Sequence, residues 1–109
     1  MHTLCCQIQI DRLWTLTEDQ IICLCRNLSD KMPNVTFESG DDNGRYVSLF
    51  IDSDDGADAW SLIRTSLLSD RTIGVEVGAA SIVTITGRDG WDDYLLLHHF
   101  DPTQTLDTM

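Results

Sequence analysis

The segment from Thr17 to Pro33 constrains the fold most, because it carries the start, the stop and the buried face of one amphipathic helix. Thr17 and Gln20 have the spacing of a capping box, in which each side chain accepts from a backbone N–H group. Apolar residues then recur every three or four positions, as on the buried stripe of a helix: Ile21, Cys25, Leu28 and Met32. Pro33 disfavours helical backbone in the residue before it, so the helix should end there.

Stretches on both sides of this helix alternate between apolar and polar residues with the period of half-buried strands. The first covers residues 3–11, the second begins at Val35, and the third lies around residues 47–51. Asn43-Gly44 separates the last two and predicts a tight hairpin, because both residues tolerate positive φ. An acidic segment then leads into a second helix with Trp60, Ile63 and Leu67 on its buried stripe.

The remaining segments are less uniform in their signals. In residues 70–80, Ile73, Val75 and Val77 alternate as in a strand, whereas Gly74 and Gly78 weaken that interpretation, and the segment stays undecided. Residues 81–86 and 94–100 predict two further strands, with Trp91 in the turn between them. We expect a single domain over residues 1–102 and a flexible C-terminal tail over residues 103–109.

The order strand, helix, two strands, helix, two strands predicts an α+β fold. We expect a split βαβ (ferredoxin-like) sandwich, an antiparallel sheet of about five strands with two helices on one face. The predicted spatial order of the strands is 5-4-1-3-2, so the first strand lies at the centre and the fifth at an edge.

Charge limits the partners that this chain can approach. Eighteen acidic residues, fifteen of them aspartate, stand against seven basic ones, and the net charge is −11. Nucleic acid and anionic membranes are repelled, while a basic protein is attracted over a Debye length of about 8–10 Å. We therefore expect a basic protein as partner, with neither nucleic acid nor membrane. No leader and no apolar run of about 20 residues stands out, which predicts a cytoplasmic protein with free thiols.

The predicted sheet brings much of this charge to one end, because the third strand ends where the fourth and fifth strands meet. Residues expected there form the candidate partner-binding site: Asp52, Asp54, Asp55, Asp58, Asp89, Trp91, Asp92 and Asp93. Trp91 would serve as an aromatic anchor among these carboxylates, and Arg88 is the one basic residue expected there. The acidic residues at the other end are offset by Arg12 and Arg45.

The sequence contains no catalytic, metal-binding or cofactor-binding motif with a recognisable spacing. The segment 52–56 places Gly56 at the fifth position and Ile63 at the twelfth, which does not fit a calcium loop. Cys5-Cys6 and His98-His99 alternate across strands, and Cys23 and Cys25 lie about 200° apart on a helix, so their ligand atoms cannot converge. We expect Cys6 and Cys25 in the core, Cys5 and Cys23 less buried, and neither metal, cofactor nor catalytic residue.

The function predicted from these observations is that of a small acidic inhibitor that is not an enzyme. An immunity protein or antitoxin would occupy the basic cleft of a nuclease-type toxin with its carboxylates, in place of phosphates. Two alternatives stay open. One is a phage-encoded nucleic-acid mimic that blocks a defence nuclease, and the other is a dimeric α+β barrel enzyme or small-ligand-binding domain.

Overall fold

The computed structural model describes residues 2–69, 71–87 and 90–107, and describes residues 87 and 90–93 by their backbone alone. Along these residues the elements are β1 His2–Gln9, α1 Glu18–Lys31, β2 Val35–Asp41, β3 Arg45–Ser53, α2 Gly56–Ile63, α3 Gly74–Gly78, β4 Ser81–Gly87 and β5 Gly90–His99. A 3-10 turn, Ile10–Arg12, follows β1, and a π-helical turn, Arg64–Leu68, extends α2.

The signals at the start of α1 act as predicted. The Thr17 hydroxyl accepts from the Gln20 backbone N–H at 3.2 Å, and the Gln20 side chain accepts from the Thr17 N–H at 2.8 Å. The helix ends at Lys31, two residues before Pro33. The hairpin prediction is also confirmed, because Asn43 and Gly44 have φ values of 56° and 140°.

The five strands form one open antiparallel sheet with the order β2-β3-β1-β4-β5. This is the predicted order 5-4-1-3-2, taken from the other edge. Strand β1 is central, so Leu4 faces Ile51 of β3 on one side and Ile85 of β4 on the other. The chain therefore belongs to the α+β class.

One face of the sheet carries the core. Alternate residues of the three central strands are buried there, among them Leu4, Cys6, Ile8, Val47, Leu49, Ile51, Val83 and Ile85. Buried residues of the three helices join the same cluster: Ile21 and Cys25 from α1, Ala59 and Ile63 from α2, and Val77 from α3. The helices thus cover this face, and we call the opposite face, which carries Thr3, Cys5, Phe50 and Thr84, the open face.

Residues 70–80 contain a third helix, so the prediction of two helices was incomplete. Val77 of α3 is fully buried, whereas Val75 is 79% exposed. In a strand these two valines would lie on the same face, whereas two positions along a helix turn the side chain by about 200°. The alternation of Ile73, Val75 and Val77 in the sequence was therefore not the period of a strand.

Two strand boundaries differ from the prediction. Ile10 and Asp11 leave β1 and enter the 3-10 turn. Strand β5 begins at Gly90, not at Tyr94, so the placement of Trp91 in a turn was wrong. Aspartate is depleted in strands, and Asp92-Asp93 concealed this extension in the sequence. The tail prediction stays a prediction, although Asp107 exchanges two hydrogen bonds of 2.8 Å with the Leu96 backbone of β5.

Candidate functional site

The strand register brings the acidic segments of the chain to one end of the sheet. His2 at the start of β1 pairs with Ser53 at the end of β3, and Gly87 at the end of β4 pairs with Gly90 at the start of β5. Because Leu4 near the start of β1 pairs with Ile85 near the end of β4, the backbone of Asp92 in β5 lies at the same end as the segment 52–55, as predicted.

Four of the predicted site residues have described side chains, and all four are exposed: Asp52, Asp54, Asp55 and Asp58. We call this group the acidic end. Asp52 accepts from the Thr3 hydroxyl at 2.8 Å. Asp55 caps α2 by accepting from the Ala57 N–H at 2.9 Å, which gives this carboxylate a structural role as well.

The other predicted site residues are described less fully. Trp91, Asp92 and Asp93 belong to β5, and their side chains lie outside the described part of the chain. Asp89 and Arg88, the basic residue expected at this end, lie outside the described residues altogether. Their part in the site stays a prediction.

Carboxylates at the opposite end of the sheet have a basic neighbour. Arg45 donates two hydrogen bonds of 2.7 and 2.9 Å to Glu18, and these bonds lower the pKa of Glu18. The hydrogen bonds to Glu18 raise the pKa of Arg45, and the negative charge of Asp41 raises it slightly further. Within residues 2–69, 71–87 and 90–107, no such ion pair within 4.0 Å involves the acidic end. The acidic end therefore presents carboxylates that no described arginine or lysine contacts in an ion pair.

Glu76 is the buried carboxylate that the sequence reasoning missed. Its side chain is 5% exposed and accepts from three consecutive backbone N–H groups, those of Trp14, Thr15 and Leu16, at 2.7–2.9 Å. The Thr15 hydroxyl donates to its second oxygen. The one sequence signal was an acidic residue between two valines in a segment of undecided structure.

The pKa of Glu76 is set by two opposing effects. Desolvation by burial raises it, and the hydrogen bonds from residues 14–16 together lower it more, to about 2. A carboxylate that accepts several N–H bonds is held in its charged form. Glu76 thus ties α3 to the connection between β1 and α1, which is a structural role.

The cysteines divide as predicted between the core and the surface. Cys6 and Cys25 are buried, and burial raises their pKa values to about 12 and about 11. Cys5 is half-buried on the open face, and Cys23 is exposed on α1. Low thiolate content makes the two core thiols poor nucleophiles and poor ligands.

The two histidines of β5 also point to different faces. His98 pairs with Val83 on the core side and forms a hydrogen bond of 2.7 Å with the Gly78 carbonyl. His99 contacts Phe100, with ring centroids 4.4 Å apart. In the part of the chain that the structure describes, no three His, Cys, Asp or Glu residues are grouped to hold a metal ion.

The tryptophans with described side chains differ in exposure. Trp60 is half-buried at the border of the core, with the Arg64 guanidinium 5.4 Å from its ring centre, so its assignment to the core holds in part. Trp14, left undecided by its sequence context, is 62% exposed.

A depression of about 410 Å3 lies on the open face near the acidic end. Its walls come from all four strands other than β2, and they include Thr3, Cys5, Phe50, Thr84, Thr86 and Tyr94. All of these side chains are uncharged. Pockets of this size, about 300–1,000 Å3, are typical of sites that bind a small molecule or one protruding side chain.

Comparison with protein-family models, with curated proteins and with solved structures gives no match in any of the three. Among the described residues, no helix is long and apolar enough to span a bilayer.

Proposed function

We propose that this chain is a small acidic inhibitor that binds and blocks a basic protein, in the manner of an immunity protein or antitoxin directed against a nuclease-type toxin. The observation that carries the proposal is the acidic end, whose carboxylates form no ion pair with a described arginine or lysine, whereas Arg45 pairs with Glu18 at the opposite end. Nuclease clefts concentrate lysine and arginine to bind phosphates, and short aspartate side chains can take the place of those phosphates.

We also propose that the fold is the split βαβ (ferredoxin-like) arrangement with β5 as an added edge strand. Support comes from the central position of β1, which is antiparallel to both β3 and β4. In this arrangement the ends of β3 and β4 lie two strand spacings apart, roughly 10 Å. That distance would allow carboxylates from both strand ends to face one partner.

The test begins with the chain immobilised at low salt in an extract of the cell that makes it. The expected result is the capture of a basic protein that elutes with salt, cleaves nucleic acid and is inhibited by one equivalent of the chain. Association of the two purified proteins is then measured at increasing salt, where steering by exposed charges should be screened. Failure to capture a basic protein, or an association rate that does not change with salt, contradicts the proposal.

A matched pair of double variants tests which end of the sheet is used. Asp54→Asn with Asp58→Asn removes one exposed carboxylate from a turn and one from the first turn of α2. Asp19→Asn with Asp42→Asn makes the same change in α1 and in the opposite turn. Electrostatic steering raises association rates by roughly 10–10³-fold, and two carboxylates should contribute part of that gain. The first pair of substitutions should therefore slow association several-fold, and the second pair should change the rate little. The reverse result would assign the wrong end.

The two alternatives call for different observations. A phage-encoded mimic would share the acidic end, and the genes beside this one would distinguish it from an immunity protein. A barrel enzyme or ligand-binding domain needs a pocket between sheet and helices, whereas the depression described above lies on the other face of the sheet. A thermal-shift screen with small molecules tests that alternative directly.

A further inference from the structure

The depression on the open face is an uncharged area in a strongly acidic chain. Phe50 and Cys5 face each other across β3 and β1, Thr84 continues the row on β4, and Tyr94 of β5 is 60% exposed at its border. Tyr94 pairs with Thr86, which closes the depression toward the sheet edge. An exposed aromatic beside a partly buried one is typical of the centre of a protein interface.

Negative charge borders this area on two sides. On one side Thr3, a wall residue, donates its hydroxyl hydrogen bond to Asp52 of the acidic end. On another side Glu38 of β2 pairs with Ser48, which lies two positions before Phe50 on the same face of β3. Burial raises the pKa of the Cys5 thiol most, a hydrogen bond with Ser48 lowers it, and the charge of Glu38 raises it as well. No lysine or arginine is among the wall residues that the structure describes. An apolar side chain would therefore enter this depression most favourably when carried by a positively charged segment.

We propose that the depression receives an apolar, preferably aromatic, side chain from a basic protein partner, whose flanking lysine or arginine residues pair with Asp52 and Glu38. This inference rests on the proposed function and adds the surface by which it is carried out. A second copy of this chain fits less well, because it would bring a net charge of −11 against another −11.

Cys5 allows the occupant of the depression to be detected by chemical labelling. It lines the depression, whereas Cys23 is exposed on α1, on the helical side of the sheet. Cys6 and Cys25 are buried and should react after unfolding. Protection of Cys5 from a thiol reagent, with Cys23 as the internal control, therefore reports contact at the open face.

The probe is a short synthetic peptide with one tryptophan between lysines, and its twin carries alanine in place of tryptophan. At low salt the tryptophan peptide should bind about tenfold more tightly than the alanine peptide, the usual size of one anchor contact. It should slow the labelling of Cys5 and leave that of Cys23 unchanged. Both affinities should fall as salt rises, because the flanking lysines contribute by charge.

Two variants place the contact within the open face. Thr84→Lys adds a cation to the depression, and Thr36→Lys makes the same change at an exposed position of β2 on the same face. Thr84→Lys should remove the preference for tryptophan, and Thr36→Lys should retain it. Tyr94→Ala, at an exposed position that adds little to the core, should also reduce the preference and serves where Thr84→Lys does not fold.

The outcomes distinguish a failure of this inference alone from a failure of the proposed function. Equal binding of both peptides without protection of Cys5 overturns the docking surface and leaves an inhibitor that uses its acidic end alone. Binding of neither peptide at low salt counts against both proposals. Protection of Cys5 that rises with the concentration of the chain alone shows a second copy as the occupant, and protection by a neutral aromatic compound without lysines shows a small-molecule site. Either result overturns the inference.

Discussion

At the scale of single residues, Glu76 shows how a carboxylate can be stabilising in a chain with excess negative charge. Its charge is held by backbone N–H groups and not by a basic side chain. Hydrogen bonds of this kind keep a buried carboxylate ionised in spite of desolvation. Glu76 therefore differs from the exposed aspartates, whose mutual repulsion opposes folding.

Glu76→Gln should lower the melting temperature at neutral pH, because a neutral amide accepts the three N–H bonds less strongly. The folded-state pKa of Glu76, about 2, is below its ordinary value of 4.5. Its contribution is therefore fully present above pH 4.5 and is lost as the pH falls toward 2. The difference in melting temperature between the two proteins should shrink over this range in a series of thermal scans.

Glu38→Gln serves as the control, since Glu38 is an exposed glutamate on β2. It should change the melting temperature at neutral pH far less than Glu76→Gln. The difference in melting temperature between Glu76→Gln and the unmodified chain could instead stay constant as the pH falls toward 2. That result would show that the charge of Glu76 does not stabilise the fold.

At the scale of elements, the short helix α3 depends on how closely it approaches the end of the preceding helical segment. Gly74 is buried, and a Cβ at this position would lie 2.4 Å from the backbone carbonyl oxygen of Leu68. At Gly78, in the same helix, the nearest atoms would be those of His98 at 3.8 Å. The two glycines therefore have different reasons to be present.

Gly74→Ala should destabilise the protein by about 1–3 kcal/mol, the usual cost of forcing packed backbone apart. Gly78→Ala should be neutral or stabilising by up to about 1 kcal/mol, because alanine fits there and restricts the unfolded chain. Urea unfolding of the two variants measures both changes. Equal effects would mean that α3 does not pack against Leu68 as described.

At the scale of the whole molecule, net charge is distributed unevenly over the sheet ends. The carboxylates of the acidic end form no ion pair within 4.0 Å with a described lysine or arginine, whereas Glu18 at the other end is paired with Arg45. Surfaces adapted to solubility alone usually mix the two signs. The uneven distribution costs stability in the free protein and favours association with a positive surface.

Sodium chloride should raise the melting temperature of the free chain, because the Debye length falls from about 30 Å at 0.01 M to about 3 Å at 1 M. At low salt Asp54→Asn should stabilise by up to about 0.5 kcal/mol, the usual limit for a surface substitution. Glu18→Gln is the opposing control and should destabilise, since it removes the partner of Arg45. A melting temperature that falls with salt would contradict the idea of net repulsion.

The sequence by itself determined the features whose physical cause is local or is repeated along the chain. Neighbouring residues account for the capping box of α1, the positive φ values at Asn43 and Gly44, and the alternation of Cys5 and Cys6. Short connections between the elements account for the strand order. The tertiary structure decided the rest. Glu76 finds its donors sixty or more residues away, and the depression combines residues from four strands. Such contacts depend on long-range packing, for which a single sequence carries no periodic signal.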